Sequence, residues 1–311
     1  MSGKVITIVN RKGGVGKTTL TLGLADTLVG ETEQPSDTAT ALVVTVDLDP
    51  QASLTRALLY DRSGPVVWGR LKSAMDEGRT LASALKDRLR QAHPEPKEYL
   101  THGVGPTGYT YSLLANEARA WDVERQALKK AGEAKLQAAL QKILDGLANT
   151  YRYVLVDSPP GQTALAEAAI QRSDLVLCPI APDYLSYWGL ESFDEYLQEL
   201  FENNGTRPPA RFVFTKFKPK PPKYDPQDMI SDLVNRFSAP QRYVTLLKEA
   251  GRESVIGGRP IALPFDPRLA LRLEGAPRAG MRWRWDRIYT KNTQAELRRL
   301  ALAIKKELDN G

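Results

Sequence analysis

The stretch that decides the fold is Arg11-Lys12-Gly13-Gly14-Val15-Gly16-Lys17-Thr18-Thr19. An apolar run, Val5-Ile6-Thr7-Ile8-Val9, leads into it, and Leu20 to Leu28 beyond it carries helical periodicity. Strand, glycine-rich turn and helix start are the context of a phosphate-binding loop. Glycines let successive backbone N–H groups curl around phosphate oxygens, and the N-terminal end of the helix adds partial positive charge. In such a loop Lys17 reaches the β- and γ-phosphates, and the Thr18 hydroxyl sits on Mg²⁺. The usual pattern has a glycine five positions before Gly16. Here that position is Arg11, and a second lysine, Lys12, stands just before the glycine pair. A Gly- and Lys-rich surface turn would not need the flanking strand and helix, so the loop is read as nucleotide-binding.

With 311 residues the chain can bury a substantial core, as one large domain or two smaller ones. Hydrophobic content of 42% and charged content of 26% are ordinary for a globular protein. No apolar run reaches membrane-spanning length, and the N-terminus enters a strand without a signal-peptide pattern. Cys178 is the single cysteine, which excludes an intrachain disulfide and a single-chain Cys₄ cluster. These features set the expectation of a cytoplasmic protein. His93 and His102 lie in Pro/Gly-rich surroundings and read as surface loop residues. The net charge of +6 is unevenly placed. Arg207 to Lys223 holds six basic residues and no acid, and Arg268 to the C-terminus holds eleven basic and five acidic residues. That asymmetry points towards a polyanion such as DNA.

Along the chain, Ala41 to Val46 is an apolar, β-branched run of the kind a doubly buried parallel strand needs. It ends in Asp47-Leu48-Asp49-Pro50-Gln51, placing two carboxylates at the carboxyl end of a strand, where ligands of open α/β sheets bind. Helices are expected over Ala52–Tyr60 and Thr80–Gln91, a loop over His93–Gly108 and a short strand over Tyr109–Leu114. A long helix from Glu117 to Asn149 is expected to break near Gly132. The strand Tyr153–Asp157 closes on Ser158-Pro159-Pro160-Gly161 and is followed by a helix to Arg172. Then come a strand over Leu175–Ile180, with Cys178 as a packed core thiol, and a loop over Ala181–Trp188. A helix over Leu190–Glu202 and a strand over Arg211–Thr215 follow. Lys218–Pro226 reads as a proline-rich basic turn. Two helices, Gln227–Phe237 and Gln241–Ala250, a short strand Pro260–Leu263 and a terminal helix Thr293–Leu308 complete the order. The alternation predicts an α/β fold: one doubly wound, mainly parallel sheet flanked by helices, the P-loop NTPase arrangement, as a single domain over 1–311. Residues 60–108 form its variable part and 268–311 its basic C-terminal part.

Asp157, at the end of a buried strand, is the candidate for holding Mg²⁺ through water, and hydrolysis also needs a group that positions the attacking water. For each of the three acids, a simple cap on the following helix is the alternative role.

Together these segments resemble the ParA/MinD family of P-loop ATPases, known for a deviant Walker A motif, K-G-G-x-G-K-[ST]. Lys12-Gly13-Gly14-Val15-Gly16-Lys17-Thr18 matches it at every defined position. Asp47-Leu48-Asp49-Pro50-Gln51 and Val156-Asp157-Ser158-Pro159-Pro160 match the family's second-strand and Walker B segments, in wording closer to ParA partition ATPases than to MinD. More loosely, Pro179 to Gly189 resembles the strand and loop before a Gly-Leu helix start, and Pro264-Phe265-Asp266 the segment bordering adenine. The resemblance implies ATP and Mg²⁺ as cofactors and a nucleotide-sandwich homodimer. It assigns Lys12 to the phosphates of the other subunit, Lys17 to those of its own, Thr19 to the α-phosphate, and Gly13, Gly14, Val15 and Gly16 to the backbone cradle. Thr18, Asp47 and Asp157 fall in the metal shell, Asp49 positions the water, and Pro264 and Asp266 lie by the base.

The family includes ATPases that bind DNA non-specifically as dimers, which implies two candidate patches. One comprises Lys216, Lys218, Lys220 and Lys223; the other includes Arg268, Arg272, Arg282 and Arg284. A solvated basic face without a ligand is the alternative. In Met281-Arg282-Trp283-Arg284-Trp285 the tryptophans could stack on nucleic acid, pack in the core or meet a partner, and packing is taken first. The terminal helix has only Leu, Ala and Ile on its apolar face, so packing on its own domain is expected over a stable membrane association. Cluster-binding cysteines of reductase relatives and the tyrosine tail of kinase relatives are lacking. The expected function is DNA partition, of a plasmid or chromosome, by a nucleoid-associated ATPase that a ParB-like adaptor stimulates. A MinD-like positioning ATPase acting on a membrane or protein cargo is the alternative, and a nucleotide-dependent interaction switch a third.

Overall fold

The computed structural model describes residues 2–30, 42–59, 67–92, 95–104, 110–181, 184–202, 205–217, 262–264 and 290–310. Its centre is an eight-stranded sheet in the order β3-β4-β2-β5-β1-β6-β7-β8. The strands are β1 (Lys4–Ile8), β2 (Val43–Asp47), β3 (Thr101–Val104), β4 (Thr110–Leu114), β5 (Tyr153–Asp157), β6 (Leu175–Ile180), β7 (Ala210–Phe217) and β8 (Ala262–Pro264). All neighbours run parallel except β3 and β4, which pair antiparallel with Thr101 opposite Leu113. Lys4 is half-buried and every other residue of β1, β2, β5 and β6 is buried, the signature of strands covered on both faces.

Strand alternation divides the core into layers. Ile6, Ile8, Leu155 and Leu177 face one side, where they meet Leu20, Leu24 and Leu28 of α1 (Lys17–Gly30) and Leu297, Leu300 and Ile304 of the terminal helix. Val5, Val44, Val154 and Val156 face the other side, against Leu136, Leu140, Ile143 and Leu144. Around the sheet lie α2 (Ser53–Leu59), α3 (Val67–Asp76), α4 (Leu81–Leu89), α5 (Ala118–Lys130) and α6 (Glu133–Ala148). Further along come α7 (Ala164–Arg172), α8 (Tyr184–Phe201) and α9 (Lys291–Asn310). The expected doubly wound, mainly parallel sheet is the fold observed. Gly132, at φ +84, breaks α5 from α6 where the sequence anticipated it. Leu300, Ala301, Ile304 and Leu308 of α9 are spent on the core, and no described helix is long and apolar enough to cross a membrane.

Three local expectations are corrected. The stretch 93–108, expected to be a loop, contains a 3₁₀ turn (Pro96–Tyr99) and edge strand β3. Its Thr-His-Gly-Val sequence lacks alternation, and Gly103 is needed because a Cβ there would sit 2.7 Å from Cβ of Leu58. His102 is thus an exposed strand residue rather than a loop residue. Helix α3 stands in the Gly/Pro-containing connection between the two expected helices, within the variable helical and loop region at about 60–108, where the sequence assigns no particular helix. Helix α8 starts at Tyr184, not Leu190, absorbing Gly189 inside it, which costs about 1 kcal/mol relative to alanine and made the segment read as a loop. Expected elements over 218–261, including both helices there, lie outside the described residues, as do His93 and the Met281–Trp285 segment.

Candidate functional site

The C-terminal ends of β1, β2 and β5 converge because these strands are adjacent: β5 pairs with β1 on one side and β2 on the other. The loop after β1 runs directly into α1 at Lys17. Gly14 and Gly16 adopt φ of +71 and +94, in the left-handed region that a side chain disfavours, so the loop curls only with glycine there. Two side chains pin it from below. Asn10 accepts from the Lys12 amide at 2.8 Å and donates to the Pro179 carbonyl at 2.8 Å. Thr215 Oγ1 donates to the Val15 carbonyl at 2.5 Å. The Gly161 amide donates to the Arg11 carbonyl at 3.1 Å, tying in the loop after β5.

Lys17 is buried, and its Nζ donates to the carbonyls of Asn10 at 3.1 Å and Lys12 at 3.2 Å. Burial lowers its pKa, while Asp157, Asp49 and Cys178 oppose the shift. Thr18 Oγ1 donates to Asp157 Oδ2 at 2.7 Å, and Thr21 Oγ1 reaches Asp157 Oδ1 at 3.4 Å. Asp47 and Asp157 sit opposite one another on β2 and β5 and are both fully buried. Burial raises the pKa of each; at Asp157 the charge of Asp47 adds to the rise, and Thr18 and Lys17 counter it. Cys178 is a core thiol, pushed well up by burial and contacted by Asn10 Nδ2 at 3.4 Å.

Asp47 is engaged with protein donors. Its Oδ2 accepts from the Thr55 amide and hydroxyl, both at 2.8 Å, and its Oδ1 accepts from the Asp49 amide at 3.0 Å. These bonds tie Asp47 to the first turn of α2. Asp49 lies past the end of β2, half-buried, and its Oδ1 accepts from the Gln51 amide at 2.8 Å in an Asx turn.

Fit to Mg²⁺ rests on the donor set. A hydroxyl and buried carboxylates are hard oxygen ligands, and two adjacent carboxylates with raised pKa form a site whose ionised state a cation favours. Among the described residues no three His, Cys, Asp or Glu side chains cluster to hold a metal by themselves. Mg²⁺ binds through one or two carboxylates and completes its shell with phosphate oxygens and water.

A cleft of about 500 Å³ opens beside Asp49, between Pro159–Ala164 and α5, with Trp121, Glu124 and Leu128 on its α5 wall. It borders none of Lys12 to Thr19. Of the other expected site residues, Lys216 is exposed at φ +55, and Pro264 ends β8. Lys218, Lys220, Lys223, Asp266, Arg268, Arg272, Arg282 and Arg284 lie outside the described residues. Sequence reading missed Asn10, Thr55, Asn116 and Thr215, whose partners are set by the fold. Asn10 and Asn116 lie just past strand ends, whereas Thr55 is within α2 and Thr215 within β7.

Parallel sheet, curled loop and strand-end acids define a P-loop nucleotide-binding protein. A family model described as an AAA domain (AAA_31) matches residues 3–207, and the chain belongs to that family, in which the ParA-type resemblance of its motifs places it with the P-loop ATPases. The chromosome partitioning protein ParA of Myxococcus xanthus is 29% identical over 188 residues, 60% of this chain and 56% of that protein. The match thus spans little more than half of that relative. Among solved structures, the ATP complex of a McdA variant from Cyanothece superposes with a TM-score of 0.66 at 17% identity, covering 98% of this chain and 97% of the other. Cobyrinic acid a,c-diamide synthase from Mycobacterium smegmatis, with bound ADP and magnesium, gives 0.64 at 18%, covering 99% and 96%. At such identities the likeness establishes the shared fold.

Proposed function

We propose that this chain is a ParA-like ATPase of DNA partition, acting on a plasmid or chromosome. ATP drives its dimerisation and non-specific DNA binding, and a ParB-like adaptor stimulates hydrolysis and release. The observation that carries the reading is Lys12, the lysine before the glycine pair, on a loop whose own lysine, Lys17, is already held within the subunit. The 29% identity to a chromosome partitioning ParA supports it, and so does the basic C-terminal third of the sequence. Residues 1–311 act in this reading as one ATPase domain, cytoplasmic and nucleoid-associated.

In this reading the amides of Gly13, Gly14, Val15 and Gly16 bind the phosphates. Lys17 neutralises the β- and γ-oxygens, Thr19 meets the α-phosphate, and Lys12 reaches the nucleotide of the second subunit. Thr18, with Asp157 and Asp47 behind it, would hold Mg²⁺, which supplies positive charge against the phosphate oxygens. Asp49 orients the attacking water. Pro264 and Asp266 border the base.

The deciding experiment compares DNA binding with ATP, with ADP and without nucleotide over a salt series. Binding only with ATP, falling steeply with salt, is expected of phosphate contacts. Equal binding in all three states would sink the reading.

A further inference from the structure

Asp49 is held by both of its backbone groups as well as by its side chain. Its amide donates to Asp47, and its carbonyl accepts from the Ala52 amide at 2.8 Å and from Asn116 Nδ2, also at 2.8 Å. The first two bonds are local, and the second closes the Asp49-Pro50-Gln51-Ala52 turn. The third crosses from another strand: Asn116 lies just past the end of β4 and is buried, with 1% of its surface exposed. Two donors of Asn116 face the site, its side-chain Nδ2 towards Asp49 and its backbone N–H towards Thr55. Its Oδ1 accepts from the Glu117 amide at 2.7 Å, orienting the carboxamide, and its backbone N–H, which any residue at 116 would keep, donates to Thr55 Oγ1 at 2.9 Å. That hydroxyl passes its proton side to Asp47 Oδ2 at 2.8 Å. A closed ring therefore runs Asn116–Thr55–Asp47–Asp49–Asn116, joining β4 and α2 to the strand-end acids.

The turn needs such a clamp. Ala52, buried, sits at φ +52, a left-handed conformation that costs a non-glycine residue energy and persists only where its surroundings enforce it. A carbonyl has two acceptor directions; one closes the turn, and Asn116 fills the other from outside it. Leucine or alanine at 116 would leave the second acceptor direction of the Asp49 carbonyl without its protein donor, and aspartate would set an acceptor against an acceptor.

We propose that Asn116, with Thr55 as its relay to Asp47, is a positioning residue that fixes where the Asp49 carboxylate stands. The inference rests on the ATPase reading above for its effect on turnover, but the clamp is also measurable without turnover. The phosphate contacts of that reading are made by the loop after β1, to which neither Asn116 nor Thr55 is hydrogen-bonded, while Thr55 reaches the metal shell only through Asp47, so affinity read without Mg²⁺ and turnover should separate.

The test uses the full chain and the variants Asn116→Ala, Thr55→Val and Thr55→Ser. Three quantities are read: kcat, the Kd for a fluorescent ATP analogue without Mg²⁺, and hydrogen exchange of the Asp49, Gln51 and Ala52 amides, the exchangeable ones of the 49–52 turn. Misplacement of a water-orienting group by an ångström lowers turnover by about 10²-fold, so Asn116→Ala and Thr55→Val should lose that much in kcat while Kd moves by less than about threefold. Exchange at 49–52 should speed up in both. Thr55→Ser keeps the hydroxyl and should retain turnover and protection. Wild-type kcat in Asn116→Ala would overturn the proposal, as would unchanged exchange at 49–52, or parallel losses in kcat and Kd. If the unmodified chain does not hydrolyse ATP, the ATPase reading falls instead, and the exchange result alone decides the clamp.

Discussion

The ammonium of Lys17 donates to the carbonyl of Lys12, 3.2 Å away, so the two lysines of the loop are linked through the backbone of one and the side chain of the other. A buried cation satisfied by its own loop carbonyls is poised for exchange, because phosphate oxygens are stronger acceptors for it than neutral carbonyls. Lys17→Ala should therefore lower ATP affinity by about 10²-fold or more, the loss of one buried charge-assisted contact. Titration with a fluorescent ATP analogue measures it, and unchanged affinity would remove Lys17 from the site.

Lys12 offers a different outcome. Its amide is bound by Asn10 within the subunit, and its assigned partner is the nucleotide of a second subunit. Lys12→Ala should keep monomer binding of ATP and lose the ATP-dependent dimer. Light scattering checks it, and an ATP dimer in the variant would contradict the sandwich arrangement.

Asp49→Ala should bind ATP as the unmodified chain does but fail to turn it over, because its carboxylate accepts from the Gln51 amide, outside the loop after β1. Phosphate release over an hour at saturating ATP measures this. Turnover at the unmodified rate would exclude Asp49 from water orientation.

Asp47 predicts a pH dependence. Burial lifts its pKa from the ordinary 3.8 to about 7. A raised folded pKa means the protonated form is favoured by folding, so its contribution is full below about 4 and is lost as pH rises through about 7. In EDTA, thermal stability should fall over that window, and Asp47→Asn should flatten the slope. Mg²⁺ with nucleotide should also flatten it, by favouring the ionised pair. A melting temperature that rises from pH 4 to pH 7 equally in both proteins would count against this account.

Leu297 is 2% exposed, where α9 packs on α1. Leu297→Ala should cost about 2–5 kcal/mol by the lost burial and the cavity left behind. Denaturant unfolding followed by circular dichroism gives the value. A loss below about 1 kcal/mol would mean that α9 is peripheral to the core.

The loop, the strands β1, β2, β5 and β6 and the acids at their ends were legible in the chain because each is a local pattern: an apolar run of strand length that stops at a polar or glycine-rich residue. Helices with a clean apolar stripe, α6 and α9, were legible for the same reason. The edge strand β3 and the start of α8 were not, since an edge strand pairs on one side only and Gly189 is a local breaker that the helix overrides. By itself, then, the sequence determined that a phosphate loop and three carboxylates belong to one sheet edge. Only the tertiary structure decided how those carboxylates are held. Asp47 and Asp157 are neighbours because β2 and β5 pair directly, and Asp49 is anchored by Asn116, 67 residues further along. Hydrogen bonds between residues so distant follow from strand order, which no local spacing encodes.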